Sequence, residues 1–223
     1  MGINLNSRRN STYIIVGVGL VFLSILLLSQ LASGPTRYEQ ELQQEREQKN
    51  LFFKNSLDSP IPRAQKPQFD GLAFFPIQEE YRVEAKLLPA PEPDTVQLLR
   101  TRGVGGAQDR MIKVGKLRFS LQGQTRELTA FAYLDPSIGS YFVPFRDLTT
   151  GESTYGGGRY LEVPIAEPLI MDFNRAYNPD CVYNKESSCP LPPRENRLEV
   201  EVRAGELDFT FAPQATEGEN NDA

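Results

Sequence analysis

The stretch MIKVGKLRFSLQGQTRELTAFAYL, residues 111–134, decides the fold. Ile112 and Val114 share one parity, whereas Leu117, Phe119 and Leu121 share the other. Successive side chains of a strand point to opposite faces, so an unbroken strand would put these two sets on opposite sides of a sheet. The phase switch at Gly115 therefore predicts a β-bulge, which inserts one residue and reverses facing. Gln122-Gly123-Gln124 then turns the chain into a second strand over 125–134, completing a hairpin.

The same period recurs on both sides of this hairpin. Residues 81–88 alternate in part and stop at Pro89, and PAPEP at 89–93 reads as an extended connector. Gly103-Val104-Gly105-Gly106 reads as a hairpin tip, because it does not open a helix after a strand as a phosphate loop would. Leu198, Val200 and Val202 alternate with Glu199, Glu201 and Arg203; Leu207, Phe209 and Phe211 alternate with Asp208 and Thr210. That pattern predicts a second hairpin with one buried and one wet face. Every proline follows Gly34, and each one breaks a helix interior. The expected fold class is all-β, an antiparallel sandwich or a partly open barrel.

Upstream the chemistry changes. Residues 14–28 read IIVGVGLVFLSILLL, with Ser24 the only polar side chain. Extended to 13–32 the segment makes about 30 Å of helix, the thickness of a bilayer's hydrocarbon core. Arg8 and Arg9 precede it, and Glu39, Glu41, Glu45 and Glu47 follow, which places the N-terminus in the cytoplasm and the remainder outside. A cleaved signal peptide is the rival reading, but small residues are poorly arranged for a cut near Ala32. The organisation expected is a cytoplasmic N-terminus (1–12), a transmembrane anchor in the lipid bilayer (13–32), a polar helical stalk (33–50), a β-rich domain (51–213) and a disordered acidic tail (214–223). Leu51-Phe52-Phe53 should dock the stalk on the domain, which lies in the periplasm or outside the cell. The oligomeric state is left open.

The 223 residues carry 24 basic and 29 acidic groups, a net charge of −5, and no histidine. Without a basic face the chain is not expected to bind nucleic acid. Without histidine, the commonest neutral-pH base and metal ligand are gone, so no histidine triad, metal or cofactor is expected.

The densest polar chemistry lies in YFVPFRDLTTGESTYGGGRY (141–160) and DFNRAYNP (172–179). Arginine offers a planar fork of donors for carboxylate or phosphate. Tyrosine adds apolar area with a polar tip. A pocket lined by Arg146, Asp147, Tyr155, Arg159, Tyr160, Asp172, Asn174, Arg175 and Tyr177 is one reading. The other is internal ion pairing of Arg146 with Asp147 and of Asp172 with Arg175. A two-carboxylate hydrolase using Asp147 and Asp172 needs both groups within about 5–9.5 Å, which spacing along a chain cannot establish. Cys181 and Cys189, the only cysteines, are expected to pair as a disulfide in an oxidising compartment. Closing so short a loop would stabilise by roughly 2.5 kcal/mol on the chain-entropy estimate.

FVPFRDLTTGESTYGGGRYLEV and DFNRAYNPDCVYNKESSCPLPPRENRLEVEVRAGE, with Phe69-Asp70-Gly71-Leu72 and Phe74-Phe75-Pro76 upstream, resemble the domain-of-unknown-function family numbered 1684 of bacteria and archaea. The resemblance spans about residues 51–206. It implies a β-rich single domain, often behind an export or anchoring segment, and no activity. The expected function is thus a non-catalytic, membrane-anchored envelope protein whose β domain binds a polar or anionic small ligand or a partner. A carboxylate-dependent hydrolase of an envelope carbohydrate or ester and a purely structural spacer are the alternatives.

Overall fold

A computed structural model describes residues 34–101 and 110–211. Among them no helix is long and apolar enough to cross a membrane; the anchor expected at 13–32, the glycine tip at 103–106 and the tail at 214–223 lie outside the described residues.

Six strands form one antiparallel sheet: β1 Arg82–Gln97, β2 Arg110–Leu121, β3 Gln124–Tyr133, β4 Ser140–Phe145, β5 Arg159–Pro164 and β6 Leu169–Asp172. Their order is β5-β4-β3-β2-β1-β6, and the sheet curls until its edge strands β5 and β6 meet. The result is a nearly closed barrel, so of the two architectures expected the barrel is found and the sandwich is not.

The hairpin read from residues 111–134 is present. Gln122 and Gly123 both take positive φ, 51° and 73°, the backbone that a tight two-residue turn requires. The bulge is present too: β2–β3 pairing skips from Lys113↔Phe131 to Gly115↔Ala130, leaving Val114 extra. Opposite it, β1–β2 pairing skips from Pro89↔Gly115 to Asp94↔Lys113. The proline run is therefore extended as expected, but it does not end the strand. It swells out of β1 while the ladder resumes beyond it, which a proline permits only where no ladder donor is needed. Bulges facing each other on two strands bend the sheet and help close it.

Strands β1 to β5 feed two clusters on opposite faces, and β6 feeds the inner one. Leu117, Leu128, Val143, Leu161, Val163 and Met171 point into the barrel with Phe145 and Phe173. Phe131, Phe142 and Tyr160, of opposite parity to the inward residues of their strands, and Met111, put on that face by the bulge at Val114, build a second cluster on the outside with Leu98 and Cys189. That outer cluster is covered by residues 98–101 and 189–191, which clip together through Thr101 N–H to Cys189 O at 3.0 Å and Cys189 N–H to Thr101 Oγ1 at 3.2 Å.

The second hairpin expected over 198–211 does not form. Leu198 and Val202 are buried as the alternation required. Their segment, however, runs beside residues 146–148, with Arg146 paired in parallel to Arg197 and Leu148 N–H bonded to Val200 O at 3.1 Å. Phe209 and Phe211 turn instead to a third cluster around Phe53, Ile61, Phe69 and Tyr183. Helix α1, Arg37–Asn55, carries Phe53 into that cluster; Leu51 and Phe52 remain exposed.

Gly115 is the position where this geometry is least forgiving. Its φ is +143°, and a Cβ there would lie 2.1 Å from Leu88 O. Gly115→Ala is expected to cost about 3 kcal/mol or more of unfolding free energy, read from urea denaturation followed by circular dichroism. An unchanged midpoint would show that the opposed bulges do not hold the barrel.

Candidate functional site

Two of the residues singled out in the sequence meet in the core. Arg159, on β5, is 1% exposed. Its Nη2 donates to Asp147 Oδ2 at 2.7 Å and to Val202 O at 2.9 Å, and its Nη1 donates to the carbonyls of Ala204 and Glu206. Phe145 covers the guanidinium, 5.4 Å from its ring centre. Asp147 is completed by Thr149, which donates its N–H at 2.7 Å and its hydroxyl at 2.5 Å. Burial pulls the Arg159 pKa down, and the Asp147 charge beside it acts against that. Every donor-rich edge of the fork is thus spent inside the protein, so the partner of Asp147 is Arg159 and not the adjacent Arg146. Arg146 instead reaches Gly157 O at 3.4 Å.

The second group lies elsewhere. Asp172 accepts from Asn174 N–H at 3.1 Å and Asn174 Nδ2 at 3.2 Å, and it pairs with Arg175. The Asn174 amide mimics a strand partner, receiving Gln78 N–H at 3.0 Å and donating to Gln78 O at 2.8 Å. Asp172 and Arg175 open onto a shallow cavity of about 290 Å³ with Arg82 and Glu162. Asp147 has a side chain 0% exposed. No substrate reaches it, so the two aspartates cannot serve one hydrolytic site.

Of the remaining three, Tyr160 and Tyr177 line a different cavity of about 290 Å³ on the outer face of the sheet. Tyr133 and Phe142 complete its aromatic wall, and Arg100, Asp180 and Cys189 stand around it. The phenols are anchored: Tyr133 and Tyr177 donate to Glu162 Oε1 at 2.5 and 3.1 Å, and Tyr160 donates to Pro190 O. Burial, first of all, pushes these three hydroxyls well above the ordinary phenol range; for Tyr133 and Tyr177 the Glu162 carboxylate adds to it. Tyr155 sits beside the cysteines, its hydroxyl 3.6 Å from Cys181 Sγ.

The disulfide expected of Cys181 and Cys189 is not formed in the structure; both are free thiols. They do adjoin, with Cys181 N–H donating to Cys189 Sγ at 3.1 Å. A hydrogen bond from Cys189 lowers the Cys181 thiol to about 6, and the same bond raises Cys189. Among the described residues no group of three or more Cys, Asp or Glu is arranged to hold a metal ion.

Three structural polar residues escaped the sequence reading. Glu206, 1% exposed, binds Lys49, Asn178 N–H at 2.8 Å and Tyr183 OH at 2.6 Å. Asn196, fully buried, joins β3 to β4 by receiving Thr129 N–H at 2.7 Å and donating to Thr129 O and Pro144 O, both at 2.8 Å. Lys49 lies 5.0 Å from the centre of the Tyr177 ring. No local pattern marks any of these, because their partners are far away in sequence.

Fold and site together define a small antiparallel barrel locked by a buried arginine–aspartate pair, with an aromatic cavity on its outer wall. The chain belongs to the family described as protein of unknown function (DUF1684), whose family model matches residues 67–207. It is also similar to the solution NMR structure of the uncharacterized protein from gene locus rrnAC0354 of Haloarcula marismortui. The two share 40% identity and a TM-score of 0.59, over 76% of this chain and 94% of that one. None of the curated proteins matches the chain.

Two predictions test these electrostatics. Asp147→Ala leaves a buried guanidinium without its counter-charge and should cost about 3–5 kcal/mol in urea denaturation. Arg175→Ala removes the half-exposed member of its pair and leaves Asp172 its Asn174 donors, so it should cost less than Asp147→Ala, about 1–2 kcal/mol in the same assay. The second concerns pH. Tyr133, Tyr160, Tyr177 and Tyr183 keep their protons in the folded state to higher pH than an unfolded tyrosine does. Above pH about 10 the unfolded chain therefore binds fewer protons than the native one, and stability must fall as pH rises. Thermal melts should decline steeply from about pH 10 upward, with the phenolate absorbance of these four tyrosines appearing only as the protein unfolds; absorbance equal to all nine tyrosines while the chain is still folded would refute the assignment.

Proposed function

We propose that this protein is a non-catalytic binding module of the cell envelope, tethered by residues 13–32, that holds a small polar ligand in the cavity between Tyr133, Phe142, Tyr160 and Tyr177. The observation that carries the reading is that cavity: about 290 Å³, concave, walled by anchored rings, with Arg100 and Asp180 at its edge. A concavity in which aromatic walls meet several polar groups is a form that small-molecule sites take. A pure spacer has no need of one. The apolar run 13–32 and its flanking charges support the tether. In an oxidising compartment the adjoining thiols of Cys181 and Cys189 would close by exchange with a disulfide, which takes up their two electrons and two protons.

The test uses the full chain in its own cells and in mild detergent. It should fractionate with membranes, and its cysteines should resist maleimide until a reductant is added. In detergent, a fragment set of small polar compounds should shift the ring-proton signals of Tyr133, Tyr160 and Tyr177. A freely soluble chain with reactive thiols would remove the envelope role. A fragment set that moves none of those rings would remove the binding role.

A further inference from the structure

We propose that Cys181 and Cys189 form a redox-active dithiol that exchanges with disulfides reaching the surface, Cys181 being the attacking sulfur and Cys189 the resolving one. The activity requires neither a ligand in the cavity nor the tether. Exposure separates the two thiols. Cys189 is 5% exposed, packed among Leu98, Met111, Phe131, Phe142 and Tyr160. Cys181 packs against the same cluster but is only half-buried. An incoming disulfide therefore reaches Cys181 and not Cys189. The two nevertheless adjoin, because the chain between them folds back on its own bonds. Val182 N–H meets Pro179 O at 3.0 Å, Asn184 N–H meets Asp180 O at 2.9 Å and Ser187 N–H meets Asn184 O at 3.0 Å. Cys181 N–H then donates to Cys189 Sγ at 3.1 Å.

The reduced pair keeps its place without a covalent bond. Both backbone groups of Cys189 are clipped to Thr101, and Leu191 N–H meets Leu99 O at 2.6 Å. With the loop already held, a bond reached from solvent through Cys181 is of the labile kind, open to exchange, and not a buried staple. The hydrogen bond from the Cys189 thiol, and after it the Tyr155 hydroxyl 3.6 Å from Cys181 Sγ, favour the Cys181 thiolate against its burial, while the bond between the thiols raises Cys189. The thiolate is the nucleophile, so one sulfur is ready near neutral pH and the other waits as a thiol. In the first step the Cys181 thiolate attacks one sulfur of the incoming disulfide. That S–S bond breaks, a mixed disulfide forms on Cys181, and the departing thiolate takes up the proton that Cys181 had released. Cys189 then gives up its proton and attacks Cys181 Sγ, which closes the 181–189 bond and releases the second partner sulfur as a thiol. Two electrons and two protons pass from the pair to the partner disulfide, and the reverse course returns them.

The test uses the full chain in mild detergent, reduced and then freed of reductant. Under limiting iodoacetamide at neutral pH, peptide mass spectrometry should find Cys181 labelled about tenfold faster than Cys189, or more. Glutathione disulfide should convert the wild type to the internal disulfide with no glutathione retained. Cys189→Ser, which keeps a hydroxyl beside Cys181, should stop with one glutathione on Cys181. Cys181→Ser should take up glutathione about tenfold more slowly, or less readily still. Excess reduced glutathione should reopen the wild-type bond while thermal melts show the chain still folded. A disulfide-bonded peptide should oxidise the pair by the same route, and the faster oxidant tells whether a small molecule or a polypeptide is the partner. A pair oxidised by neither, equal labelling of the two thiols, glutathione trapped on Cys189, or an internal bond that reduced glutathione leaves intact overturns the proposal. The labelling and the reopening need no variant, so they decide alone if a substitution prevents folding.

Discussion

The guanidinium of Arg159 is the constraint on which the rest of the molecule hangs. Removing such a charge from water is costly, and the cost is met only where every donor finds an acceptor and an opposite charge adjoins. Asp147 supplies the charge, while Val202, Ala204 and Glu206 supply carbonyls. These carbonyls belong to a segment that enters no strand of the sheet. Arg159 thus does for residues 202–206 what a ladder of backbone bonds does for a strand. It ties an irregular length of chain across the barrel interior and satisfies polar groups that would otherwise be buried without partners.

That inner lock also sets the outer wall. Arg159 and Tyr160 are successive residues of β5 and point to opposite faces, one into the barrel and one into the aromatic cavity. The carbonyl and N–H of Tyr160 bond those of Tyr177 at 3.0 and 2.9 Å, so the second ring follows the first. Glu206 contributes from the other side: its backbone accepts from Arg159, and its carboxylate holds Asn178 N–H, Tyr183 and Lys49 around the same loop. The cavity's rings are consequently positioned by the best-satisfied part of the core, which is what a preorganised binding site requires.

What the sequence made legible was local. The hairpin over 111–134 and its bulge followed from parity and one glycine, because a strand, a tight turn and a phase switch are all written in neighbouring residues. Alternation at 198–211 gave the buried face correctly at Leu198 and Val202, yet it carries no information about the partner, and here the partner was the 146–148 segment and no returning strand. The same limit divided the polar cluster. Arg159 and Asp147 stand twelve positions apart and Asp172 and Arg175 three, so their pairing was within reach. The cavity gathers Arg100, Tyr133, Phe142, Tyr160, Tyr177 and Asp180 from separate strands and loops, and only the closure of the sheet brings them together. Tyr160 and Tyr177 stand in the polar runs with Phe142, and Asp180 follows directly, whereas Arg100 lies far from both runs and Tyr133 belongs to the preceding hairpin.

The division of labour among the arginines follows from burial alone. Arg159 has the right chemistry for an anionic ligand but is sealed from solvent, so its fork is structural. Arg175 shares its charge with Asp172 on a face that also carries Glu162, and the local balance there is even. Arg100 stands in a cavity whose other charged member is Asp180 and whose walls are π surface.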